Sequence, residues 1–193
     1  MTKSELRKIY FEKQKSLSDV ERKEKSLRIA DEFFENFGLE SVRFLHVFLT
    51  IEKNREIETS FIYKRLWRDF PRITTLASRV DFQTMTLENL KFTGDTKLVV
   101  NKWQILEPAT SDAIEIEEID AVLVPLLCFD EKGFRVGYGM GFYDKLLKEC
   151  RTDCRKIGLS YFAPTAKISD AQSFDVRLDF CITPEKIFIR RKE

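Results

Sequence analysis

The stretch Ala121-Val-Leu-Val-Pro-Leu-Leu-Cys-Phe129 decides the fold, because it is apolar at nearly every position. A strand with one face in water alternates apolar and polar residues, whereas a strand of a parallel sheet is covered by helices on both faces. The run therefore predicts a buried strand in a parallel sheet.

Helical and extended patterns alternate on both sides of this run. This alternation predicts an α/β fold, specifically a three-layer α/β/α sandwich with a mainly parallel sheet, as a single domain over residues 1–193. We predict helices over residues 3–15, 18–37, 58–69 and 144–150, and strands over residues 44–49, 72–78, 81–87, 98–100, 121–129, 156–161 and 180–183.

The first two helices carry the clearest local signals. Ser18-Asp-Val-Glu21 has the spacing of a capping box, which starts a helix, and Gly38 is placed to end it. The first helix is expected to bury Leu6, Ile9 and Tyr10. The buried stripe expected on the second helix is Val20, Leu27, Ala30, Phe33, Phe34 and Phe37.

Charge and hydropathy exclude several classes of partner. The 33 basic and 32 acidic side chains nearly cancel, which gives no basic face for nucleic acid. No apolar run reaches the roughly 18 residues of a membrane span, and the charged start Met1-Thr-Lys-Ser-Glu-Leu-Arg-Lys lacks a signal sequence. We therefore expect a cytoplasmic monomer that acts on small molecules.

Side chains with typical catalytic chemistry are few. His46 is the only histidine, and its apolar neighbours favour a place in the core or in an edge strand. Cys150 and Cys154 are separated by three residues, which is neither the spacing of a redox pair nor by itself a zinc site. Catalysis without histidine points towards a metal, ATP and carboxylates.

A glycine-rich loop follows the buried strand. Alternate glycines in Gly137-Tyr-Gly-Met-Gly141 allow the backbone to approach a ligand, and the helix after them adds partial positive charge, which suits phosphate. Phe142 stands where a dinucleotide fingerprint has its third glycine, and the Gly-Lys-Ser/Thr of a Walker loop is absent. A tight turn that leads into a helix is the other interpretation of these glycines.

The longer string Phe129-Asp-Glu-Lys-Gly-Phe-Arg-Val-Gly-Tyr-Gly-Met-Gly-Phe-Tyr-Asp144 resembles the signature of the 5-formyltetrahydrofolate cyclo-ligase family. That pattern is roughly apolar-Phe-Asp-x-x-Gly-x-Arg-Leu-Gly-x-Gly-x-Gly-Tyr-Tyr-Asp. Here Val136 replaces Leu and Phe142 replaces the first Tyr. Some members have Arg and Lys between the glycines, where this chain has Tyr138 and Met140, so its loop must rely more on backbone and on cations from elsewhere.

Shorter matches follow in the family's order. The family's opening Lys-x-x-Leu-Arg helix is matched by Lys3-Ser-Glu-Leu-Arg7, and its Glu-(Ile/Val)-x-Thr by Glu56-Ile-Glu-Thr59. Trp103-Gln-Ile-Leu-Glu-Pro108 matches a Trp-x-Ile-x-x-Pro stretch. Asp175-Val-Arg-Leu-Asp179 matches the closing Asp-(x)3-Asp, although Phe174 stands where many members have His.

The resemblance implies an enzyme that uses ATP and Mg²⁺ to close a ring in 5-formyltetrahydrofolate. It assigns no catalytic side chain. Mg²⁺ would be bound by Asp144 and Asp175. The implied ATP contacts are Lys3, Ser4, Glu5, Leu6, Arg7, Arg135, Val136, Gly137, Tyr138, Gly139, Met140, Gly141, Phe142 and Tyr143, and the implied folate contacts are Arg7, Leu49, Glu56, Tyr138, Gly139, Met140, Gly141 and Phe142.

Two alternatives stay open on the sequence alone. One is a folate- or nucleotide-binding relative that keeps the fold but has lost turnover. The other is a relative of sugar-phosphate isomerases or acyl-CoA transferases, which would need a catalytic carboxylate motif of its own. The retained Lys3, Arg7, Glu56, Asp144 and Asp175 favour a working cyclo-ligase.

Overall fold

A computed structural model describes residues 1–190. It contains both helices and strands, but they alternate less regularly than the sequence predicts, since seven strands follow one another between the third and the fourth α-helix. The helices are α1 (Lys3–Ser16), α2 (Asp19–Asn36), α3 (Ser60–Asp69) and α4 (Phe142–Glu149). The strands are β1 (Phe44–Val47), β2 (Thr74–Asp81), β3 (Thr86–Lys91), β4 (Leu98–Val100), β5 (Leu106–Pro108), β6 (Ala121–Pro125), β7 (Cys128–Phe129), β8 (Arg135–Val136), β9 (Arg155–Leu159), β10 (Phe180–Ile182) and β11 (Ile187–Ile189).

Seven of these strands form one central sheet in the order β11-β10-β9-β6-β1-β2-β3. The five inner strands are parallel, and β3 and β11 run antiparallel at the two edges. From β1 the chain passes through α3 to β2 on one side, whereas β6 lies on the other side of β1. The order of the strands therefore reverses between β1 and β6.

The helices cover both faces of this sheet. On one face, Phe33 of α2 and Leu66 of α3 pack into a cluster with Leu123 of β6. On the other face, Leu146 of α4 packs with Val124 of β6. Neighbouring residues of a strand point to opposite faces, so β6 is buried on both sides and needs apolar residues throughout. The predicted three-layer sandwich with a mainly parallel sheet is confirmed.

The predicted strand over residues 121–129 is wrong in its length. β6 ends at Pro125, and Cys128–Phe129 forms a separate hairpin with β8. Burial explains the error, because Leu126 and Leu127, between the two strands, are themselves buried and keep the run apolar. An apolar run alone cannot separate one long strand from two buried strands joined by a bend.

The break that we predicted between residues 78 and 81 is also misplaced. β2 continues to Asp81, and the turn lies at residues 82–85. The Asp81 carboxylate accepts hydrogen bonds from the backbone N–H of Gln83 and of Thr84, and such a side chain stabilises a turn after its own residue. β5, β8 and β11 were not predicted, and several other elements begin or end within two residues of their predicted limits.

Helix α2 begins with the predicted capping box, but part of its predicted buried face is wrong. Val20 is 66% exposed and Leu27 is 46% exposed, while Arg22 and Ser26 are buried in their place. Polar side chains can be buried where they are hydrogen-bonded, and the rest of the fold supplies those partners. The predicted burial of Ile9 on α1 is also wrong. Ile9 is exposed, whereas Leu6 and Tyr10 of the same helix are buried.

The single-domain prediction for residues 1–193 stays a prediction, and its last three residues lie outside the described part of the chain. Among the helices in residues 1–190, each is too short or too polar to cross a bilayer. His46 lies in β1, between β2 and β6, so the core position that the sequence allowed is confirmed and the edge position is wrong.

Gly158 in β9 offers a test of how tightly the sheet is packed. A Cβ at this position would lie 2.6 Å from Leu178 Cδ1 and 2.7 Å from Leu126 Cδ2. We expect Gly158→Ala to lower the free energy of unfolding by about 1–3 kcal/mol through overpacking, as measured by urea denaturation. At Gly94 the nearest atom would be 3.7 Å away, so Gly94→Ala should change stability by less than about 0.5 kcal/mol. Equal effects of the two substitutions would contradict this packing.

Candidate functional site

A cleft of about 620 Å³ opens at the carboxyl ends of the parallel strands. Leu49 follows β1, Pro125 ends β6, and Ser78 lies near the end of β2, and all three line the cleft. In open α/β sheets, ligands bind outside the carboxyl ends of the strands where the strand order reverses. The gap between β1 and β6 is that place, so the topology of the fold itself predicts a binding site here.

One wall of the cleft is apolar and is formed by the β2–β3 and β4–β5 hairpins. The segment between β4 and β5 carries Trp103, whose ring packs edge-on against Phe82 with centroids 4.5 Å apart and lies 5.9 Å from the ring of Phe142. Lys53 Nζ donates to the Trp103 carbonyl at 2.6 Å. These contacts hold the β4–β5 hairpin against the cleft. The wall is suited to a flat, partly apolar ligand.

The glycine loop forms the opposite side of the cleft. Gly139 has a φ of 103° and Gly141 a φ of 74°, values that favour glycine, and Gly141 is the N-cap of α4. Arg7 Nε donates to the Gly137 carbonyl at 2.9 Å. A Cβ on Gly139 would lie 3.5 Å from the same Nε. The loop thus places an Arg side chain of α1 and the N-terminus of α4 at the cleft.

Two ion pairs lie at this end of the cleft. Lys3 Nζ contacts Asp175 Oδ2 at 2.5 Å, and Arg135 contacts Asp144 Oδ1 at 2.6 Å. The Arg135 side chain is only 6% exposed, and burial lowers its pKa. Burial opposes the charged form of Asp175, but hydrogen bonds from Lys3 and from the Gln172 N–H outweigh it and lower the pKa of that carboxyl.

Asp144 and Asp175 both act electrostatically on Arg135, so both carboxylates lie near one buried guanidinium. Carboxylate oxygens are ligands that Mg²⁺ prefers, and it is commonly bound by one or two of them together with substrate phosphates. A cluster of three or more metal-binding side chains does not occur within residues 1–190. The residues present fit a Mg²⁺ ion that arrives with phosphate better than one held permanently by the protein.

Glu56 is the more deeply buried of two buried carboxylates in the cleft, with 3% of its surface exposed against 8% for Glu107. Its Oε2 accepts from the Ile51 N–H at 2.9 Å, and Oε1 accepts from Asn54 Nδ2 at 3.4 Å. Burial raises the pKa of Glu56 to about 7, although these hydrogen bonds and one with Tyr138 work in the opposite direction. Its protonation state therefore changes near neutral pH.

Several polar residues of the cleft region were missed by the sequence analysis. Gln14 Nε2 donates to the Tyr138 hydroxyl at 2.8 Å and to the Asn54 carbonyl at 2.7 Å, which joins α1, the glycine loop and the segment before Glu56. The signal was the spacing of Gln14 seven residues after Arg7, which puts both on one face of α1.

The pair His46 and Ser78 was also missed, and in it Ser78 lines the cleft while His46 is buried. His46 Nε2 lies 2.8 Å from Ser78 Oγ, and Nδ1 has no partner among the described residues. Burial lowers the pKa of His46 to about 4, which keeps the ring neutral at physiological pH.

Most of the predicted site residues come together in this one cleft. The lining includes Lys3, Arg7, Leu49, Glu56, Arg135, Val136, Gly137, Tyr138, Gly139, Met140, Gly141, Phe142, Tyr143, Asp144 and Asp175. Ser4, Glu5 and Leu6 are not part of the lining. Glu5 completes the capping box of α1, and Leu6 is buried between α1 and the β7–β8 hairpin. The ligand contacts assigned to all of these residues stay predictions.

Known proteins resemble this chain in both sequence and fold. The Escherichia coli (strain K12) 5-formyltetrahydrofolate cyclo-ligase is 28% identical over 145 residues, covering 74% of this chain and 78% of that protein. The structure of the Aquifex aeolicus 5,10-methenyltetrahydrofolate synthetase has a TM-score of 0.79 at 23% identity, covering 100% of this chain and 95% of the other. The Mycoplasma pneumoniae 5,10-methenyltetrahydrofolate synthetase has a TM-score of 0.76 at 23% identity, covering 96% and 100% of the two chains.

The likeness extends along nearly all of the sequence. A sequence model of the 5-formyltetrahydrofolate cyclo-ligase family matches residues 1–184, and the chain belongs to that family.

Proposed function

We propose that this protein converts 5-formyltetrahydrofolate into 5,10-methenyltetrahydrofolate, with consumption of ATP in the presence of Mg²⁺ and release of ADP and phosphate. The observation that carries the proposal is that one cleft holds two different binding surfaces. The glycine loop with Lys3, Arg7 and Arg135 suits phosphate, and the buried Glu56 suits a ligand with paired N–H donors. Membership of the family supports the same reaction.

The chemistry explains why such an enzyme needs ATP. The formyl group on N5 is an amide, and its nitrogen donates electrons into the carbonyl, which makes the carbon a poor electrophile. Transfer of a phosphoryl group to the formyl oxygen provides a good leaving group. The neighbouring N10 then attacks the formyl carbon, phosphate departs and the five-membered ring closes. Such a reaction depends mainly on positioning and on neutralisation of charge.

The cationic residues would serve the phosphate groups. Lys3, Arg7 and Arg135 converge on the cleft from α1 and β8, and two of them are held there by the ion pairs with Asp175 and Asp144. Charge-assisted hydrogen bonds from such groups are stronger than neutral ones. We assign these three side chains to the triphosphate of ATP, with the loop at 137–141 close to the transferred phosphoryl group.

Asp144 and Asp175 would hold Mg²⁺ beside the phosphates. When bound, the ion neutralises phosphate charge and orients the terminal phosphoryl group. Both carboxylates contact cationic side chains, Asp175 with Lys3 and Asp144 with Arg135. The arrival of phosphate gives those cations a new anionic partner, which would leave the carboxylate oxygens available to the metal.

Glu56 would recognise the reduced pterin. The pterin ring presents an N–H and an amino group side by side, and an ionised carboxylate can accept from both. Because Glu56 has a pKa of about 7, the deprotonated form that can accept both hydrogen bonds becomes dominant above neutral pH. Leu49 and the apolar wall around Trp103 would contact the rest of the folate. The cytoplasmic location and the monomeric state remain predictions.

The direct test is turnover by the purified protein. We expect 5-formyltetrahydrofolate with Mg-ATP to give 5,10-methenyltetrahydrofolate, which is more conjugated and absorbs at longer wavelength, and ADP in equal amount. Reactions without ATP serve as the control. Binding of reduced folate without any such product would favour the alternative, a relative that binds folate but has lost turnover.

The metal assignment is tested by charge-neutral variants. We expect Asp144→Asn and Asp175→Asn each to raise the Mg²⁺ concentration for half-maximal rate by about tenfold or more, since one charge-assisted contact is worth about 1.5–3 kcal/mol. Asp153→Asn removes another carboxylate that pairs with an arginine, Arg151, and lies outside the cleft, and it should leave the Mg²⁺ dependence unchanged. A lower melting temperature with a normal Mg²⁺ response would show that Asp144 and Asp175 are only structural.

Glu56→Gln should change how stability depends on pH. The unfolded chain releases the Glu56 proton near pH 4.5, whereas the folded protein keeps it to about pH 7. The wild type therefore loses stability between these values as pH rises, and the variant does not. We expect the variant to gain about 2–3 kcal/mol relative to wild type between pH 4.5 and pH 8 in urea denaturation. The exposed Glu24→Gln is the control, and parallel curves for Glu56→Gln and wild type would refute the raised pKa.

A further inference from the structure

The backbone of Glu56 is hydrogen-bonded by side chains that lie outside the cleft. Its backbone carbonyl accepts from the Tyr161 hydroxyl at 2.9 Å and from Arg22 Nη2 at 3.4 Å. Tyr161 follows β9, and Arg22 belongs to α2. Both side chains are buried, and neither is among the residues that line the cleft. The hydrogen bonds of these two residues therefore reach the cleft through the segment that carries Glu56.

Ser26 of α2 completes a directed chain of hydrogen bonds. Ser26 Oγ accepts from the Glu58 N–H at 3.0 Å and lies 3.2 Å from the Tyr161 hydroxyl. Because the hydrogen of the Tyr161 hydroxyl points to the Glu56 carbonyl, the Ser26 hydroxyl is the donor in the contact between the two side chains. The chain thus runs from Ser26 through Tyr161 to Glu56 and fixes the backbone on both sides of Ile57.

Arg22 reaches the same segment at further points. Its guanidinium lies 3.0 Å from the Glu52 carboxylate and 3.8 Å from the Glu58 carboxylate. Its Nε is buried and has no partner within the described residues. An unpaired buried donor lowers stability. The side chain is thus oriented towards residues 52–58 at the expense of its own hydrogen bonding.

The direction of the Glu56 carboxylate follows from how this segment is anchored. Two donors to that carboxylate, Ile51 N–H and Asn54 Nδ2, belong to the same stretch of chain and move with Glu56. Tyr138 of the glycine loop also hydrogen-bonds to the carboxylate, but it does not hold the backbone that carries Glu56. Ser26 and Tyr161 link the stretch to α2 and to the end of β9, which are parts of the main core.

We propose that Arg22, Ser26 and Tyr161 are positioning residues that aim the Glu56 carboxylate at the reduced folate. The proposal rests on the function proposed above, in which Glu56 binds the pterin. It assigns to these three buried residues a role in substrate affinity that they exert without touching the substrate.

Tyr161→Phe removes one hydroxyl and leaves the ring in place. We expect the KM for 5-formyltetrahydrofolate to rise about threefold to tenfold, the range for one lost hydrogen bond. The KM for ATP and kcat should stay within about twofold, because Tyr161 makes no hydrogen bond to the glycine loop, which is linked to this segment only through Gln14 and Asn54. Tyr10→Phe is the matched control, since Tyr10 is also buried and packs on the same Phe162, and it should behave as the wild type.

Ser26→Ala and the double variant separate positioning from a general loss of stability. We expect Ser26→Ala to raise the folate KM as well. The folate KM of the double variant should be at most about twofold above that of Tyr161→Phe, because both hydroxyls act on the same short stretch. Melting temperatures and the ATP KM, measured on each variant, report any wider disturbance. Fully multiplicative effects, or equal rises in both KM values, would overturn the proposal.

The outcomes also separate this proposal from the proposed function. If Glu56→Gln raises the folate KM and Tyr161→Phe leaves it unchanged, the positioning role is refuted and the function stands. If the wild-type protein neither binds nor converts the folate, the function is refuted and the positioning role fails with it. A raised folate KM in Tyr161→Phe and Ser26→Ala, with Tyr10→Phe at the wild-type value, would support both.

Discussion

The rest of the structure depends on the burial of β6 on both faces beside β1. Side chains of Leu123 and Val124 point into opposite layers of the sandwich, which requires helices on both sides of the sheet. The chain moves from β1 to β2 in one direction and reaches β6 in the other. Loops that leave β1 and β6 at their carboxyl ends must therefore diverge, and a cleft opens between them. The fold thus fixes where the site lies, while the residues of these loops decide what it binds.

The electrostatics of the cleft divide it into two parts. At one end, Lys3 with Asp175 and Arg135 with Asp144 pair opposite charges, and the first pair joins segments distant in sequence. At the other end, Glu56 is buried with hydrogen-bond donors and contacts no cation among residues 1–190, and burial raises its pKa. A phosphate-bearing ligand favours the first arrangement and a ligand with neutral N–H donors the second. The two ends of the cavity therefore differ in the charge of the ligand groups that they favour.

The order of elements and the layers could be predicted from the sequence, because apolar periodicity and turn residues are local signals. The split of residues 121–129 could not, since β6 and the β7–β8 hairpin are equally buried. The convergence of most predicted site residues followed from the resemblance to a family. No local signal indicated that Arg22 and Ser26 would be buried. A buried polar residue on a helix is visible only when its partner is known, and here the partner Tyr161 lies more than 130 residues away.

The loop at 137–141 shows how the chain compensates for lacking basic residues between its glycines. Tyr138 is turned beneath the loop, where its hydroxyl accepts from Gln14, and Met140 is exposed. The positive charge comes instead from Arg7, which donates to the Gly137 carbonyl and lies over Gly139. A cation supplied by α1 makes the first helix part of the site through contacts that only the folded chain creates. Loop and helix must then be in place together to form this side of the cleft, which couples the N-terminal helix to the shape of the cleft.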